Sequence, residues 1–338
     1  MIAATIPDPV VRQHLETVSH DGMDSFVLAR GSLRGAAVNA TRLVNQMRAN
    51  HGLGILETLI LGHGLIGAAL MSSSLKGRDR MQVDFQVDGP VGGIVVDANA
   101  HGQVRGYLRV EAIPLEEPLT SFDTSPFIGS GFVKVTRYPE KGQRPYSGTV
   151  VLEHGTVAQD LARYYLESEQ TPSVLNLSIQ FDGDGRVIGA GGLLVQALPG
   201  DQRAETVDED GNRMLRAEVE DRVVSMQSIG EALSRGQTTT TIVQEALGAF
   251  EPTHLGSRPA EFRCGCSSER FRRVLEWLPR SEQDDIRRNG PFPLRTTCAY
   301  CNSTYEFSRE EVEAFLAAAA QADEQDPETE TRDPSGGV

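Results

Sequence analysis

Four cysteines are the residues best placed to do chemistry in this 338-residue chain, and all lie in its last quarter, as Cys264-Gly265-Cys266 and Cys298-Ala299-Tyr300-Cys301. The 263 residues before them contain none. Two close pairs separated by 31 residues offer four thiolates that can converge on one tetrahedral ion. Zn²⁺ prefers that number and kind of ligand, with Zn–S bonds of roughly 2.3 Å. No histidine lies between the pairs, so the expected centre is Cys₄ with one zinc per chain and no open position. A hydrolytic zinc keeps a water as its fourth ligand, which argues against hydrolysis here.

Other motifs carry less. Gly62-His63-Gly64-Leu65-Ile66-Gly67 is a literal G-x-G-x-x-G, but a dinucleotide fingerprint needs a strand before it and a helix opening at the loop. Here the apolar spacing runs through the glycines at helical period, so small residues that let a helix pack closely are the better account. Ser73-Ser74-Leu75-Lys76 fits S-x-x-K without its partner motifs. The seven histidines show no metal-ligand spacing, although His254 is near enough to the cysteines to stand in for one. There is no Walker A sequence. The chain therefore reads as a protein that is not an enzyme.

Composition narrows the classes further. Net charge is −15 and the pI about 5.0. An acidic chain repels phosphate backbones, which counts against nucleic acid as a partner. No run of 18 apolar residues suggests a membrane span, and the first residues lack the basic and apolar regions of a signal peptide. Four clustered cysteines suit a reducing compartment, with cytoplasm as the default.

The elements that must position the cysteines are read from periodicity. Residues 1–24 form an N-terminal extension, and 25–200 the main domain. Alternating apolar runs predict strands at 25–29, 81–87, 93–98, 132–136 and 173–179. Helical spacing predicts helices over 40–49, 56–75 and 157–166. Strands and helices without βα alternation predict an α+β fold, helices packed on an antiparallel sheet. Residues 201–258, charged and then thinly amphipathic, read as a helical linker of marginal stability. A small zinc module follows at 259–320, and an acidic tail at 321–338 reads as disordered.

Two roles for the thiolates stay open at this point, an inert staple or a redox sensor. The staple is the commoner use of such sites. The sensor is physically plausible because zinc keeps thiols deprotonated, and thiolate is the form that oxidants attack. A module of about 60 residues has a thin core, and zinc supplies roughly 10–16 kcal/mol of folding free energy to such domains. Oxidation that removes the ligands should therefore unfold it. Arg263, Arg270, Arg272, Arg273 and Arg295 lie near the ligands in sequence and could offset the charge of a Zn(Cys)₄ centre.

Cys264-Gly265-Cys266-Ser267-Ser268-Glu269-Arg270 and Cys298-Ala299-Tyr300-Cys301-Asn302-Ser303-Thr304-Tyr305-Glu306-Phe307 resemble the C-terminal signature of the thirty-three-kilodalton heat shock protein family, redox-regulated bacterial holdase chaperones. The segments 164–172 and 190–199 resemble its main-domain motifs, as do 30–35, 75–77 and 104–107. The resemblance spans about residues 25–320. It implies that the reduced protein holds zinc and is a poor chaperone, and that oxidants drive Cys264–Cys266 and Cys298–Cys301 to disulfides. Zinc then leaves, the module unfolds, the linker loosens, and exposed apolar surface captures unfolding clients without ATP. It further implies a dimer when oxidised, reduction by thioredoxin or glutaredoxin systems, and transfer of clients to a DnaK-type foldase. The competing expectation is a constitutive binding module whose zinc is only structural. Two departures bear on the switch: residues 287–297 are basic where relatives are often acidic, and the acidic tail is an addition.

Overall fold

The computed structural model describes residues 1–115, 121–140, 144–198 and 209–325. It divides into two compact units, Ala3–Cys264 and Gly265–Val338 with Met1–Ile2.

The larger unit begins with α1 (Pro9–Thr17), β1 (Gly22–Leu28), β2 (Leu33–Asn39), α2 (Thr41–His51) and α3 (Ile55–Met71). Then come β3 (Arg80–Val87), β4 (Ile94–Asn99), β5 (Gln103–Leu108), α4 (Ser125–Ile128), β6 (Gly131–Tyr138) and β7 (Tyr146–Val151). It continues with α5 (Val157–Glu167), β8 (Ser173–Phe181) and β9 (Val187–Ala197). The expected linker, 201–258, supplies α6 (Glu209–Ser225), α7 (Ile229–Ser234), α8 (Thr239–Leu247) and β10 (Thr253–Arg258), and β11 (Glu261–Phe262) lies just past it, at the start of the segment assigned from sequence to the zinc module. One sheet has the order β10-β1-β2-β9-β8 and the other β11-β5-β4-β3-β6-β7. Every pairing in them is antiparallel except β11 on β5, which is parallel. The expected α+β class holds.

Helix α3 packs against strands of both sheets and is buried along nearly all its length. By composition Ile55–Ser74 is long and apolar enough to cross a membrane, but here it is a core helix. Its glycines explain how it fits. A Cβ at Gly64 would press on Ile94 of β4 at 3.1 Å, and one at Gly67 would come within 2.6 Å of Leu161 of α5. The G-x-G-x-x-G sequence is thus a close-packing device inside a helix. Ser73 follows that helix, and Lys76 of the S-x-x-K pattern is exposed.

The linker helices cover a sheet face. Val219 and Val223 of α6, Ile229, Ala232 and Leu233 of α7, and Ile242, Val243 and Leu247 of α8 pack with Phe26, Leu28, Leu33, Ala37, Leu193, Val195 and Ala197 of β1, β2 and β9. Helix α7 sits so close to β9 that a Cβ at Gly189 would collide with the Gly230 carbonyl oxygen. Strand β10 was not legible as a strand. Its side chains are mostly exposed without alternation, and it exists because β1 pairs with it.

The smaller unit holds α9 (Ser268–Glu276), α10 (Arg280–Asn289), β12 (Leu294–Thr297), β13 (Thr304–Phe307) and α11 (Arg309–Gln325). β12 and β13 form an antiparallel hairpin. Its core is small: Leu275, Phe307, Val312, Phe315 and Leu316 are the fully buried members. Residues 326–338, most of the acidic tail, lie outside the described residues.

Candidate metal centre

Each cysteine pair sits where the backbone turns. Cys264 follows β11, which is bound to β5 with Glu261 opposite Gln103 and Phe262 opposite Val104. The Arg263 N–H donates to the Val104 carbonyl at 2.9 Å, continuing the ladder to the residue before Cys264. Cys266 immediately precedes Ser267, whose side chain caps α9 by accepting from the Arg270 N–H. The second pair occupies the tip of the β12–β13 hairpin. There the N–H groups of Cys301 and Asn302 donate to the Cys298 carbonyl at 3.3 and 2.7 Å, and the Cys298 N–H donates to the Ser303 carbonyl at 3.0 Å. Asn302 takes a left-handed φ of 53°, which closes this tight loop.

The four Sγ atoms lie within 4.8 Å of one another, and all four cysteines are buried. A four-thiolate tetrahedron with ~2.3 Å bonds has edges of ~3.8 Å, so the donor set fits a zinc ion. Among the described residues no histidine, aspartate or glutamate joins this group. His254, the alternative ligand, instead meets Asp24 at 3.2 Å and Ser257 at 3.1 Å.

Surrounding polar groups engage the sulfurs. Cys266 Sγ is 3.3 Å from both Cys301 Sγ and the Tyr305 hydroxyl. That hydroxyl also donates to the Cys266 carbonyl at 3.1 Å. Desolvation, and then the neighbouring Cys266 sulfur, raise the Tyr305 pKa and keep it a donor. Cys301 Sγ is 3.2 Å from Ser303 Oγ, which in turn donates to the Ile2 carbonyl.

The arginines singled out by sequence proximity are spent elsewhere. Arg263 meets Glu261, Arg272 meets Glu269 and Glu276, Arg273 meets Glu269, and Arg295 meets Glu306. Arg270 donates to the Gly265 carbonyl at 3.1 Å. The cation that reaches a sulfur comes from β5: Arg105 Nη1 donates to Cys264 Sγ at 3.2 Å. Burial alone would lower the Arg105 pKa, but Asp97 and Cys264 outweigh it and raise it. Arg105 lies in the 104–107 segment noted for its family resemblance, but nothing in the sequence spacing tied it to the cysteines.

Comparison with known proteins decides the family. The family model described as "Hsp33 protein" matches residues 21–308. The chain belongs to the Hsp33 family. It is 34% identical to the 33 kDa chaperonin of Ruminiclostridium cellulolyticum, over 85% of this chain and 95% of that one. It is 35% identical to the 33 kDa chaperonin of Nostoc punctiforme, over 86% and 93% respectively. The crystal structure of the 33 kDa chaperonin (heat shock protein 33 homolog) from Thermotoga maritima superposes with a TM-score of 0.76 at 28% identity, covering 89% of this chain and all of that one. An Hsp33-family chaperone binds unfolded client proteins.

Proposed function

We propose that this Hsp33-family chaperone is an ATP-independent holdase switched on by oxidation of its cysteine centre. The observation that carries the proposal is the convergence of four buried cysteine sulfurs beside a small apolar core, with five buried side chains among the described residues. In the reduced state Cys264, Cys266, Cys298 and Cys301 would hold one zinc, which supplies charge to keep four thiolates together and much of the folding energy of the smaller unit.

Oxidation within each pair forms one S–S bond, Cys264–Cys266 or Cys298–Cys301. The two thiolates give up two electrons, and hydrogen peroxide accepts them together with two protons from solvent as its O–O bond breaks to give two waters. With both pairs oxidised no thiolate donor remains, so the metal is lost and the unit loses its main support. The C-x-C disulfide closes the smaller ring and should be the more readily reduced.

The surface that would capture clients is the sheet face beneath the linker helices. Of the described side chains of α6, only Val219 and Val223 are fully buried, while Met214 and Val224 are exposed. A helix held by so few apolar contacts opens at low cost. Release of α6 together with α7 and α8, which lie over β9, β1 and β2, would uncover Phe26, Leu28, Leu33, Leu193 and Val195. Dimerisation of the oxidised form, reduction by thioredoxin or glutaredoxin and hand-over to a DnaK-type foldase complete the reading by family resemblance, and a cytoplasmic location completes it from the clustered cysteines.

The test uses reduced, zinc-loaded protein treated with peroxide at a mild heat-shock temperature. A chromogenic chelator follows zinc, and suppression of client aggregation follows activity. Zinc release with a gain of activity is expected. Activity that is already full before oxidant and unchanged by it would instead leave a constitutive binding module with a purely structural metal. Cys298→Ser, which removes one donor, should weaken zinc binding and raise basal activity; a metal-tight, inactive variant would refute the ligand set.

A further inference from the structure

One face of the second sheet carries a row of half-buried polar side chains that leads to the metal centre. Gln82 on β3 lies opposite Asp97 on β4, and Asp97 lies opposite Arg105 on β5. Direct opposition places such side chains within reach of one another. Gln82 Nε2 donates to Asp97 Oδ1 at 3.1 Å. Asp97 Oδ2 accepts from Arg105 Nη2 at 2.7 Å and from Nε at 3.2 Å. Two of the guanidinium nitrogens are thereby fixed, and the third, Nη1, is aimed at Cys264 Sγ. Arg105 and Asp97 keep only 21% and 16% of their side-chain surface exposed, so the pair is held in a semi-buried setting where charge is poorly screened.

We propose that Arg105, oriented by Asp97, is an outer-sphere positioning residue of the metal centre that sets how tightly the site holds its ion and how readily Cys264 is oxidised. The inference rests on the four-cysteine metal reading above. A Zn²⁺ with four thiolates carries net negative charge, and burying that charge is costly unless a cation or donors compensate it. The guanidinium supplies both a positive charge and a directed N–H. The hydrogen bond draws electron density from the Cys264 sulfur, which makes it a weaker nucleophile toward peroxide. It also fixes the side chain of the ligand, and groups in this position typically alter metal affinity by 10–100-fold. The arrangement ties the Cys264 sulfur to β5, and through Asp97 to β4, of the same unit, across 159 residues of sequence.

The experiment measures zinc affinity of the full-length reduced chain by competition with a chelator. Arg105→Met is expected to bind roughly 10–100-fold more weakly. Arg105→Lys, which keeps the charge but not the forked geometry, should restore part of that loss, and Asp97→Asn should weaken binding several-fold. Arg109→Met is the matched control. It removes a comparable arginine–aspartate pair, Arg109 to Asp84 at 2.6 Å, and should leave affinity unchanged. With Co²⁺ in place of zinc, the sulfur-to-metal charge-transfer band of Arg105→Met should move to longer wavelength and that of Arg109→Met should not, a shift that mere loss of stability would not produce. Wild-type affinity and an unmoved band in Arg105→Met would overturn the inference while leaving the metal centre intact. A wild-type chain that takes up neither metal would overturn the metal reading itself, and this inference with it. If Arg105→Met does not fold, wild-type affinity in both Arg105→Lys and Asp97→Asn overturns the proposal, and weakened binding in both sustains it.

Discussion

Stripping the metal from the reduced chain, with a thiol-safe chelator and reductant present, should unfold the smaller unit and leave the larger one standing. The fully buried apolar side chains of the smaller unit are Leu275, Phe307, Val312, Phe315 and Leu316. At about 1.5–3 kcal/mol for each such side chain, they contribute roughly 8–15 kcal/mol in gross terms. A structural zinc contributes roughly 10–16 kcal/mol, so demetallation removes a stabilising term as large as that of these five side chains together. Neither term alone offsets the conformational entropy of ordering helices α9 to α11 and the hairpin. The larger unit has no such dependence, because α3 alone buries Leu59, Ile60, Leu61, Leu65, Ile66 and Leu70 in it. Amide hydrogen exchange reads the two units separately. Amides of α9, α11 and β13 should lose protection on demetallation by several orders of magnitude, and those of β3, β4 and α3 should keep theirs. Protection in α9 and α11 that survives complete metal removal would show that the smaller unit folds without its ion. Sulfur oxidation would then have no structural consequence to transmit.

Two further outcomes follow from the packing of the larger unit. Gly189→Ala places a methyl group against the Gly230 carbonyl and should unseat α7 from β9. Bis-ANS binding and aggregation suppression should both rise in the reduced, zinc-loaded protein, and a variant as silent as wild type would show that the linker does not mask the client surface. His63 on α3 has a buried Nε2 without a partner, and desolvation lowers its pKa from 6.5 to about 4. An unfolded chain takes up that proton first, so the contribution is intact above about pH 6.5 and is lost as pH falls towards 4, by up to about 3 kcal/mol and less because the ring edge keeps some contact with solvent. Urea unfolding across that range should show the loss in wild type and a flatter profile in His63→Leu; parallel profiles would refute it.

What the sequence determined by itself was chemistry and local periodicity. The two cysteine pairs mark a site that could hold a metal, because ligand type and spacing are properties of short segments. The core helix at 55–71 is legible for a similar reason: apolar residues recur at helical period straight through Gly62, Gly64 and Gly67. Tertiary structure decided the rest. The polar strand β10 has no alternation to read and is a strand only because β1 offers it a partner. Helices α6 to α8 are visible as weakly amphipathic stretches, but which apolar face they cover depends on β1, β2 and β9 meeting in one sheet. The electrostatics of the metal centre shows the limit most sharply. Arginines near the cysteines in sequence are the cations that spacing alone offers to the centre, yet Arg272 and Arg273 are drawn to Glu269 and Glu276 one helical turn away, because a nearby carboxylate on the same helix is the cheaper partner. The guanidinium that reaches Cys264 belongs to Arg105, brought there by the parallel pairing of β11 with β5. Contacts made across a sheet edge leave no trace in sequence spacing, since the backbone ladder that creates them is indifferent to side-chain identity.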